Sequence, residues 1–358
     1  MEFIKENKKK VFIGASFFIV LITLLFNIGN ISGSKMMIKV KTPGFVENAQ
    51  DFHITSSTIM IFDGSYLYIT DKDGELLRKI DKSQETYVSF FAGNFGFLYD
   101  EDLKKLYKYG ENGEYLGSIT TNIDVYNIEE QGSKIVLHLK EGNREEISIL
   151  DGLTIKNVYK TDNYITSMYV VNEKNYAVSE ISPYAQGYKT ILTISDGQVK
   201  KTDYNQEVGL SLNIKDRKVF FITDKNIYKI TPDKIDKKDI PNISDVLYRN
   251  SHIYLLHSGI LSKYNLNLDE TDKMIVAANV TRLKDVGGSI YAYGESDIGG
   301  EIGTSQEFYT RLGSGIERME VGGVTVATLK DGKVNIYKIV SSRTVNKNTM
   351  RDISGEND

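Results

Sequence analysis

The stretch LYITDKDGELL at residues 67–77 is followed by a close copy, LYKYGENGEYL, at residues 106–116. In both copies apolar side chains alternate with polar ones before a turn, which is typical of a half-buried β-strand. The pairs DG at 73–74 and NG at 112–113 then supply the positive φ angles that a two-residue hairpin turn requires. Each copy is therefore predicted to be a strand, a tight turn and a returning strand.

Shorter apolar runs repeat along the rest of the chain and mark eight predicted units. They occupy residues 66–69, 96–99, 134–139, 176–178, 218–222, 252–256, 289–293 and 324–329. The spacing of about 30 to 42 residues is that of four short strands with their turns. No long helical periodicity interrupts these runs, so the predicted fold class is all-β.

A lone hairpin is only marginally stable in water, so such units must stack and bury one another's apolar faces. The sequence thus predicts a seven- or eight-bladed β-propeller, in which a strand at residues 36–40 completes the last blade and closes the ring. A pair of β-sandwiches and an open solenoid are the alternatives, and a unit of about 37 residues suits them less well.

The composition excludes several classes of function. With 44 basic and 48 acidic residues among 358, the net charge of −4 gives no reason to expect a nucleic-acid partner. The absence of cysteine excludes disulfides, thiolate metal sites, cysteine nucleophiles and a lipidated cysteine. A large exported domain without disulfides favours a bacterial origin.

An uncharged apolar run occupies residues 11–28 and follows three lysines at residues 8–10. Its length is close to the ~20 residues that span a bilayer, and the preceding cations favour a cytoplasmic N-terminus. We predict a cytoplasmic segment (1–10), a transmembrane anchor (11–31), a linker or first strand (32–43), the propeller (44–342) and a polar C-terminal tail (343–358). The alternatives are a buried core helix and a signal peptide cleaved at the poor small-residue site 32–34. Both the anchor and the signal peptide place the propeller outside the cytoplasm.

The two clearest copies resemble the repeat of pyrroloquinoline-quinone-type propellers, a family that includes outer-membrane assembly lipoproteins lacking the cofactor. In that family a strand ends in Asp, turns, and returns toward a Trp that docks one blade on the next. Residues 68–71, the turn at 73–74 and the pair at 76–77 match this pattern. Arg78 and Gly117 stand where the tryptophans would be, and the chain contains no Trp. The resemblance implies the propeller fold without the cofactor.

Two further resemblances concern a single segment and the overall plan. Residues 286–294 are similar to one kelch-type strand pair. An anchor followed by a propeller without Cys or Trp resembles single-pass envelope proteins of Gram-positive bacteria. Neither resemblance implies a particular activity.

The sequence predicts no catalytic, metal-binding or cofactor-binding residue. The four histidines, at 53, 138, 252 and 257, lack the spacing of a metal site. The glycine-rich segment 294–303 does not match a phosphate-binding loop and does not open a helix. The insertion at 183–188 contains Tyr184, Gln186 and Tyr188, and we predict these residues as a recognition loop because Tyr is enriched at interfaces.

These observations predict a non-catalytic extracytoplasmic propeller, tethered to the cell membrane by one helix and acting as a scaffold or recognition module. The expected partners are envelope proteins or cell-wall polymers. The alternative is an extracytoplasmic propeller hydrolase or lyase acting on a glycan, which would require carboxylates that converge at the mouth of the ring. A small-ligand sensor is a third candidate, and it would need a separate output partner because only ten residues precede the apolar run.

Overall fold

Eight antiparallel sheets of four strands make up the regular structure of the described chain. The computed structural model describes residues 34–185, 187–277 and 279–342. Each sheet uses consecutive strands, except the last, which combines the three C-terminal strands with the first strand of the chain. The described residues thus form an eight-bladed β-propeller, which confirms the predicted fold class and the larger of the two predicted blade numbers.

The chain begins with β1 (Lys35–Lys41), which belongs to blade 8. Blade 1 contains β2 (Asp51–Ile54), β3 (Ile59–Phe62), β4 (Tyr66–Thr70) and β5 (Leu76–Asp81). Blade 2 contains β6 (Val88–Ala92), β7 (Phe95–Asp100), β8 (Lys105–Gly110) and β9 (Tyr115–Thr120). Blade 3 contains β10 (Asp124–Gln131), β11 (Lys134–Glu141), β12 (Arg144–Asp151) and β13 (Thr154–Thr161). Blade 4 contains β14 (Tyr164–Asn172), β15 (Asn175–Tyr184), β16 (Gly187–Asp196) and β17 (Val199–Asn205).

The second half of the ring follows the same order. Blade 5 contains β18 (Gly209–Lys215), β19 (Lys218–Thr223), β20 (Asn226–Ile230) and β21 (Ile235–Asp239). Blade 6 contains β22 (Ile243–Arg249), β23 (His252–His257), β24 (Ile260–Asn265) and β25 (Glu270–Ile275). Blade 7 contains β26 (Val280–Val286), β27 (Ser289–Gly294), β28 (Asp297–Gly300) and β29 (Phe308–Arg311). Blade 8 contains β30 (Arg318–Gly322), β31 (Thr325–Lys330), β32 (Lys333–Ser341) and β1.

Each predicted unit corresponds to one blade, but the segment predicted for blade 1 lies in a different strand from the segments of the other blades. From 96–99 onward, each predicted segment lies in the second strand of its blade, but 66–69 lies in β4, the third strand of blade 1. The second strand of that blade is β3, whose four residues are all apolar and buried. Because such a short, fully apolar strand shows no alternation, the sequence pattern did not reveal it.

Strand β1 closes the ring by pairing antiparallel with β32, so that Met37 faces Ile339 and Ile38 faces Lys338. This pairing confirms the predicted role of residues 36–40. Joining the two ends of the described chain in one sheet covers the edge of β32, and β1 takes the outer position that the fourth strand has in the other blades. The predicted cytoplasmic segment, anchor and C-terminal tail lie outside the described residues. Within the described ranges, no helix has both the length and the apolar character needed to span a membrane.

Apolar clusters lie between neighbouring blades and hold the ring together. Eight clusters are present, one at each junction between blades. At the seam, Phe52 and Ile61 of blade 1 pack with Ala327 and Ile336 of blade 8, and all four are fully buried. Truncating a buried Phe to Ala typically costs about 3 to 5 kcal/mol, so these contacts account for the stability of a chain without disulfides.

The first strand of each blade lies innermost, next to the central channel. First strands of neighbouring blades contact one another, as β14 does with β18 and β22 with β26. Fourth strands lie at the rim and are mostly exposed, as β5, β17 and β25 are. Residues that face the channel therefore come from eight separate positions along the chain.

The ring has two faces, which we name by the turns they carry. The terminal face carries the turns between first and second strands and between third and fourth strands, such as 55–58 and 71–75. The distal face carries the turns between second and third strands, such as 63–65, and the segments that join blades. β1 starts and β32 ends at the terminal face, where the Ser342 N–H donates to the carbonyl oxygen of Ser34 at 2.8 Å. The described chain therefore enters and leaves the ring at the terminal face.

The predicted two-residue hairpin turns are wrong in length. Five residues, 71–75, join β4 to β5, and of these only Gly74 has a positive φ, +83°. The Asp71 carboxylate accepts the N–H groups of Asp73 (2.9 Å) and Glu75 (2.8 Å), and these hydrogen bonds favour the wider turn. Blade 6 contains the same turn at 265–269, with Leu268 at φ +67° in the position of the glycine.

Neighbouring blades pack against each other without the tryptophans that dock blades in the family whose repeat this sequence resembles. The Arg78 guanidinium of blade 1 donates to the Gly113 carbonyl in the turn of blade 2 at 3.1 Å. Gly117 leaves room for the side chain of Leu153 in blade 3, since a Cβ at Gly117 would lie 2.5 Å from Leu153 Cδ1. At the two positions where the family pattern has Trp, this chain thus has a cation that binds the next blade and a glycine that leaves room for a side chain of the next blade.

Candidate recognition surface at the distal channel mouth

Exposed aromatic and apolar side chains surround one side of the channel mouth on the distal face. First strands start at the distal face, and Tyr126 of β10, Tyr164 of β14 and Leu210 of β18 lie near those starts. Their exposed fractions are 60%, 53% and 42%. Adjacent large apolar side chains that remain in water are a common mark of a contact surface. We call these three residues the mouth rim.

A cavity of about 430 Å³ lies beside the mouth rim, against the first strands of blades 3, 4 and 5. Its wall includes Glu129, Gln131, His138, Ser167 and Met168, together with the rim residues Tyr126 and Leu210. This volume is within the range of pockets that hold a small ligand or an anchoring side chain. The cavity is a candidate site because it combines polar groups on its wall with exposed rim residues.

The ammonium group of Lys140 lies close to the rings of both tyrosines of the rim. Its Nζ lies 4.4 Å from the centre of the Tyr164 ring and 5.2 Å from that of Tyr126. Lys140 also forms an ion pair with Glu145 at 2.9 Å, and this hydrogen-bonded contact raises the pKa of Lys140. The cation remains charged at neutral pH, and each cation–π contact at such a partly exposed site is worth about 0.5 to 1 kcal/mol.

Glu145 joins blade 3 to blade 4 at the edge of the cavity. Its carboxylate accepts the Ile165 N–H at 2.8 Å and contacts His138 Nε2 at 2.9 Å. Burial would raise the pKa of Glu145, but hydrogen bonds from Ile165, Lys140 and His138 lower it instead. Burial also lowers the pKa of His138, against the opposing effect of Glu145. A neutral imidazole therefore donates to an ionised carboxylate, and the role of this pair is to position the rim.

The cavity floor combines satisfied and unsatisfied polar groups. The Gln131 amide donates to the Met168 carbonyl at 3.1 Å and accepts the Val170 N–H at 2.7 Å. Gln131 also contacts Glu129, whose pKa is raised by burial despite this hydrogen bond. Among the described residues, Ser167 Oγ is one of three buried side-chain polar atoms without a hydrogen-bond partner. The floor can therefore offer a hydroxyl and a carboxyl group to a bound segment.

On the other side of the channel, charged residues join blade 8 to blade 1. Arg318 contacts Asp51 and also lies 2.7 Å from a Glu320 oxygen. Glu320 further accepts the Ile54 N–H at 2.9 Å and lies 3.0 Å from His53 Nδ1. A second cavity, of about 560 Å³, is lined partly by Arg318 and Glu320. The polar groups in this cluster bind chiefly one another, as expected of a structural link at the seam.

The two carboxylates of this cluster have pKa values shifted in opposite directions. Burial raises the pKa of Asp51, against the opposing charge of Arg318. For Glu320 burial acts in the same sense, but His53, Arg318 and the Ile54 N–H together lower its pKa to about 2. Paired carboxylates with separated pKa values occur in acid–base catalysis as well as in structural ion pairs.

The remaining histidines do not converge on a metal site. His252 contacts the carbonyl of Asn250 and His257 contacts Ser262, each at 2.9 Å, at opposite ends of β23. In the ranges that the structure covers, no group of three or more potential His or carboxylate ligands is close enough to hold a metal ion.

The predicted recognition loop is a hairpin of blade 4 that rises from the distal face. Strands β15 and β16 pair up to Tyr184 and Gly187, and Tyr184 is 41% exposed. Tyr188 faces Pro183, so it shares a sheet face with Pro183, whereas Tyr184 projects from the opposite face. The two tyrosines therefore do not form one continuous aromatic patch. Gln186 lies outside the described residues.

Sequence analysis did not identify the mouth rim, although a signal for it exists. Tyr126, Tyr164 and Leu210 stand near the start of the first strand in three consecutive blades. The apolar segments that mark the predicted units are mostly second strands, so the sequence pattern does not show where the first strands start. An apolar residue that recurs at this position in neighbouring units would have indicated the rim.

Comparisons with known proteins support the fold. The sequence matches no protein-family model and no curated protein. BamB from Moraxella catarrhalis is similar in structure, with a TM-score of 0.54 and 10% identity over 85% of this chain and 98% of BamB. Sqt1 from Saccharomyces cerevisiae gives a TM-score of 0.55 and 10% identity over 87% of this chain and 100% of Sqt1. At such identities the likeness shows the propeller fold alone, in agreement with the fold implied by the repeat.

Proposed function

We propose that the chain is a non-catalytic recognition module, held outside the cytoplasmic membrane by its N-terminal segment, which binds protein partners at the distal channel mouth. The observation that carries this proposal is the exposure of the mouth rim beside a cavity with buried polar groups. This surface lies on the face opposite the chain ends. A rigid ring tethered at one face would present the other face to partners.

The chemistry of the mouth favours a protein segment as the partner. Tyrosine combines a large apolar ring with a hydroxyl group and is enriched at protein interfaces. An apolar side chain of the partner would insert between Tyr126 and Tyr164, and a backbone N–H or C=O group would meet Ser167. An envelope protein is the partner class that we propose, and binding to purified cell wall instead of protein would contradict it.

The N-terminal sequence and the position of Ser34 support the proposed tether. Six residues, 29–34, separate the apolar run from β1. An extended chain of six residues spans at most ~20 Å, so a membrane-spanning run would keep the terminal face near the bilayer. The distal mouth would then face away from the membrane.

Single cysteines test the tether because the natural chain has none. Leu103→Cys lies on the distal face at a residue that is 58% exposed. A membrane-impermeant maleimide should label this variant in intact cells and should label Asn7→Cys only after lysis. Labelling of Leu103→Cys only after lysis would contradict the extracytoplasmic location. Loss of residue 7 from the mature protein would show that the segment is a cleaved signal peptide.

The blade 4 hairpin is proposed as a second contact on the distal face. Because Tyr184 and Tyr188 project from opposite faces of the hairpin, one partner surface can meet only one of them directly. We expect one of the two single variants, Tyr184→Ala or Tyr188→Ala, to weaken partner capture several-fold and the other to have little effect. If both variants capture the partner as well as the parent protein does, the hairpin is not part of the proposed recognition surface.

A glycan hydrolase or lyase is the second candidate function, and the opposite pKa directions of Asp51 and Glu320 favour it. Glycosidases use one protonated and one ionised carboxyl group. Against this role, Arg318 lies between the two carboxylates and His53 and Ile54 occupy Glu320. Release of soluble sugars from a cell-wall preparation, lost in both Asp51→Asn and Glu320→Gln, would favour the enzyme over the recognition module.

A further inference from the structure

The rim of the ring carries exposed apolar side chains along its terminal edge. In blades 1 to 5 they occupy the first or second residue of the fourth strand, or the turn residue just before it. Their exposed fractions range from 41% to 59%, and we call them the terminal-edge arc: Leu76, Leu77, Tyr115, Leu116, Leu153, Val199 and Ile235. In blade 6 the corresponding residue is Glu270.

The regular position of the arc distinguishes it from ordinary surface exposure. Single exposed apolar residues are normal on any protein. Here the same strand position is apolar in five consecutive blades, always at the end of the strand nearest the terminal face. The residues therefore follow a curve close to one plane, which suits a flat, extended surface better than a compact protein patch.

Lysines follow the arc on the same strands. Lys79 lies in β5, Lys156 in β13, Lys200 and Lys201 in β17, and Lys237 in β21, each within three residues of an arc residue and each exposed. Apolar side chains at the edge with cations just behind them form the pattern of an interfacial membrane contact, in which lysines meet lipid phosphates.

Carboxylates near the arc are partly neutralised by cations. Asp73 pairs with Lys338 at 3.2 Å, Glu75 with Lys41 at 2.6 Å and Asp151 with Lys156 at 2.6 Å. Within the part of the chain that the structure covers, Lys200 and Lys201 form no ion pair and remain available for phosphates. Glu114, Asp196 and Asp233 lie in or next to the same turns without an ion pair among the described residues, so the free positive charge of this edge is concentrated at Lys200 and Lys201.

We propose that the terminal-edge arc rests on the surface of an anionic phospholipid bilayer. The inference depends on the proposed tether, because the described chain begins at Ser34 on this face, six residues after the apolar run. Leu76, Leu116, Val199 and their neighbours meet the boundary between headgroups and acyl chains, and Lys200 and Lys201, just behind Val199, meet phosphates. The contact fixes the orientation of the ring, so that the distal mouth points away from the membrane.

Fluorescent probes on single cysteines test the contact with the full chain reconstituted in vesicles of phosphatidylcholine and phosphatidylglycerol. Leu116→Cys and Val199→Cys place an environment-sensitive dye on the arc. Ile275→Cys is the matched control, because Ile275 is 89% exposed and lies at the distal end of a fourth strand. Each labelled variant should keep the β-sheet spectrum and the melting temperature of the parent protein.

We expect the dyes at 116 and 199 to shift to the blue and to be quenched by lipids brominated on their acyl chains several-fold more than the dye at 275. Lys200→Glu with Lys201→Glu should reduce quenching at 199 in vesicles that contain phosphatidylglycerol. If the chain floats with the vesicles but the three dyes are quenched equally or not at all, the proposed contact of the arc with the bilayer is wrong. The proposed membrane tether is then retained. If the chain does not float with the vesicles, both the proposed contact and the proposed tether are wrong. A blue shift that depends on protein concentration and not on lipid would identify a second copy of the chain as the occupant and overturn the proposal.

Discussion

Ser34 and Ser342 contact each other at the seam of the ring, with their hydroxyl oxygens 3.1 Å apart and the Ser342 N–H donating to the Ser34 carbonyl at 2.8 Å. The two residues are 308 positions apart in the sequence. Their contact extends the pairing of β1 with β32, so the closure of the ring and the exit of both chain ends occur at one place. The proposed tether would therefore lead directly into the structural seam.

A disulfide across the seam should form readily and stabilise the ring. Met37 and Ile339 face each other in the antiparallel pairing of β1 with β32, and opposite residues have Cβ atoms about 4.5 to 5.5 Å apart. We expect Met37→Cys with Ile339→Cys to oxidise after the two strands move slightly closer, since a disulfide needs a Cβ separation of about 3.8 Å, and the chain contains no competing thiol. Closing so long a loop should stabilise the protein by up to about 5 kcal/mol, measured as a higher melting temperature that reducing agent abolishes.

Met37→Cys with Ile275→Cys is the matched control for this disulfide, since Ile275 lies in blade 6. This pair should remain reduced under the same conditions. Failure of the Met37–Ile339 pair to oxidise, or oxidation of both pairs alike, would contradict closure by β1.

Acid should destabilise the fold through Glu320. Its folded pKa of about 2 lies below the unfolded value of 4.5, so ionised Glu320 stabilises the fold above pH 4.5, and this contribution is lost as the pH falls toward 2. Asp51 acts in the opposite sense, because its raised folded pKa means that its contribution is present at low pH and is lost as the pH rises. The shift at Glu320 corresponds to about 3 kcal/mol, an order-of-magnitude value for this coupled cluster.

Glu320→Gln tests this pH dependence. The variant should be less stable at pH 7 by about 2 to 3 kcal/mol in urea unfolding, and it should lose less stability than the parent between pH 4.5 and 3. Glu141→Gln removes a carboxylate whose ion pair with Lys104 is largely exposed, so it should change stability by less than about 1 kcal/mol. If Glu320→Gln loses as much stability as the parent protein between pH 4.5 and 3, Glu320 is not the cause of the acid sensitivity.

Gly113 should tolerate a side chain less well than Gly142, although both have a positive φ, +75° and +61°. At Gly142 no atom lies within 4 Å of an added Cβ, so Gly142→Ala should cost only about 1 kcal/mol of backbone strain. At Gly113 the added Cβ would lie 2.8 Å from Ile69 Cγ1 and 3.1 Å from Arg78 Cδ of the neighbouring blade. Gly113→Ala should therefore cost about 1 to 3 kcal/mol more, measured by urea unfolding. Equal losses in the two variants would show that this turn does not dock the blades.

The sequence predicts the ring because each blade repeats a local pattern. Alternating apolar residues and glycine turns, such as those at 67–77 and 106–116, are decided by neighbours in the chain. The turn at Leu268 has no such signal, because a leucine with φ +67° is held there by packing between blades 5 and 6. Its side chain is buried in that cluster, and this burial offsets the unfavourable backbone conformation.

The channel mouth could not be predicted in the same way. Tyr126, Tyr164 and Leu210 come from three blades and become neighbours only when blades 3, 4 and 5 pack side by side. The ion pair of Arg318 with Asp51 likewise joins the two ends of the ring. Such contacts depend on the exact register of strands far apart in the sequence, which the local pattern of any one unit does not specify.

Site-specific photo-cross-linking tests the proposed recognition at the channel mouth most directly. Benzoylphenylalanine would replace Tyr164 at the mouth rim and, as a control, Tyr115 at the outer edge, which is similarly exposed at 57% against 53%. After irradiation of intact cells, we expect a discrete protein adduct from position 164 that is absent from position 115 and is reduced by Tyr126→Ala. No protein adduct at position 164, or the same adduct at both positions, would contradict recognition of a protein partner at the channel mouth.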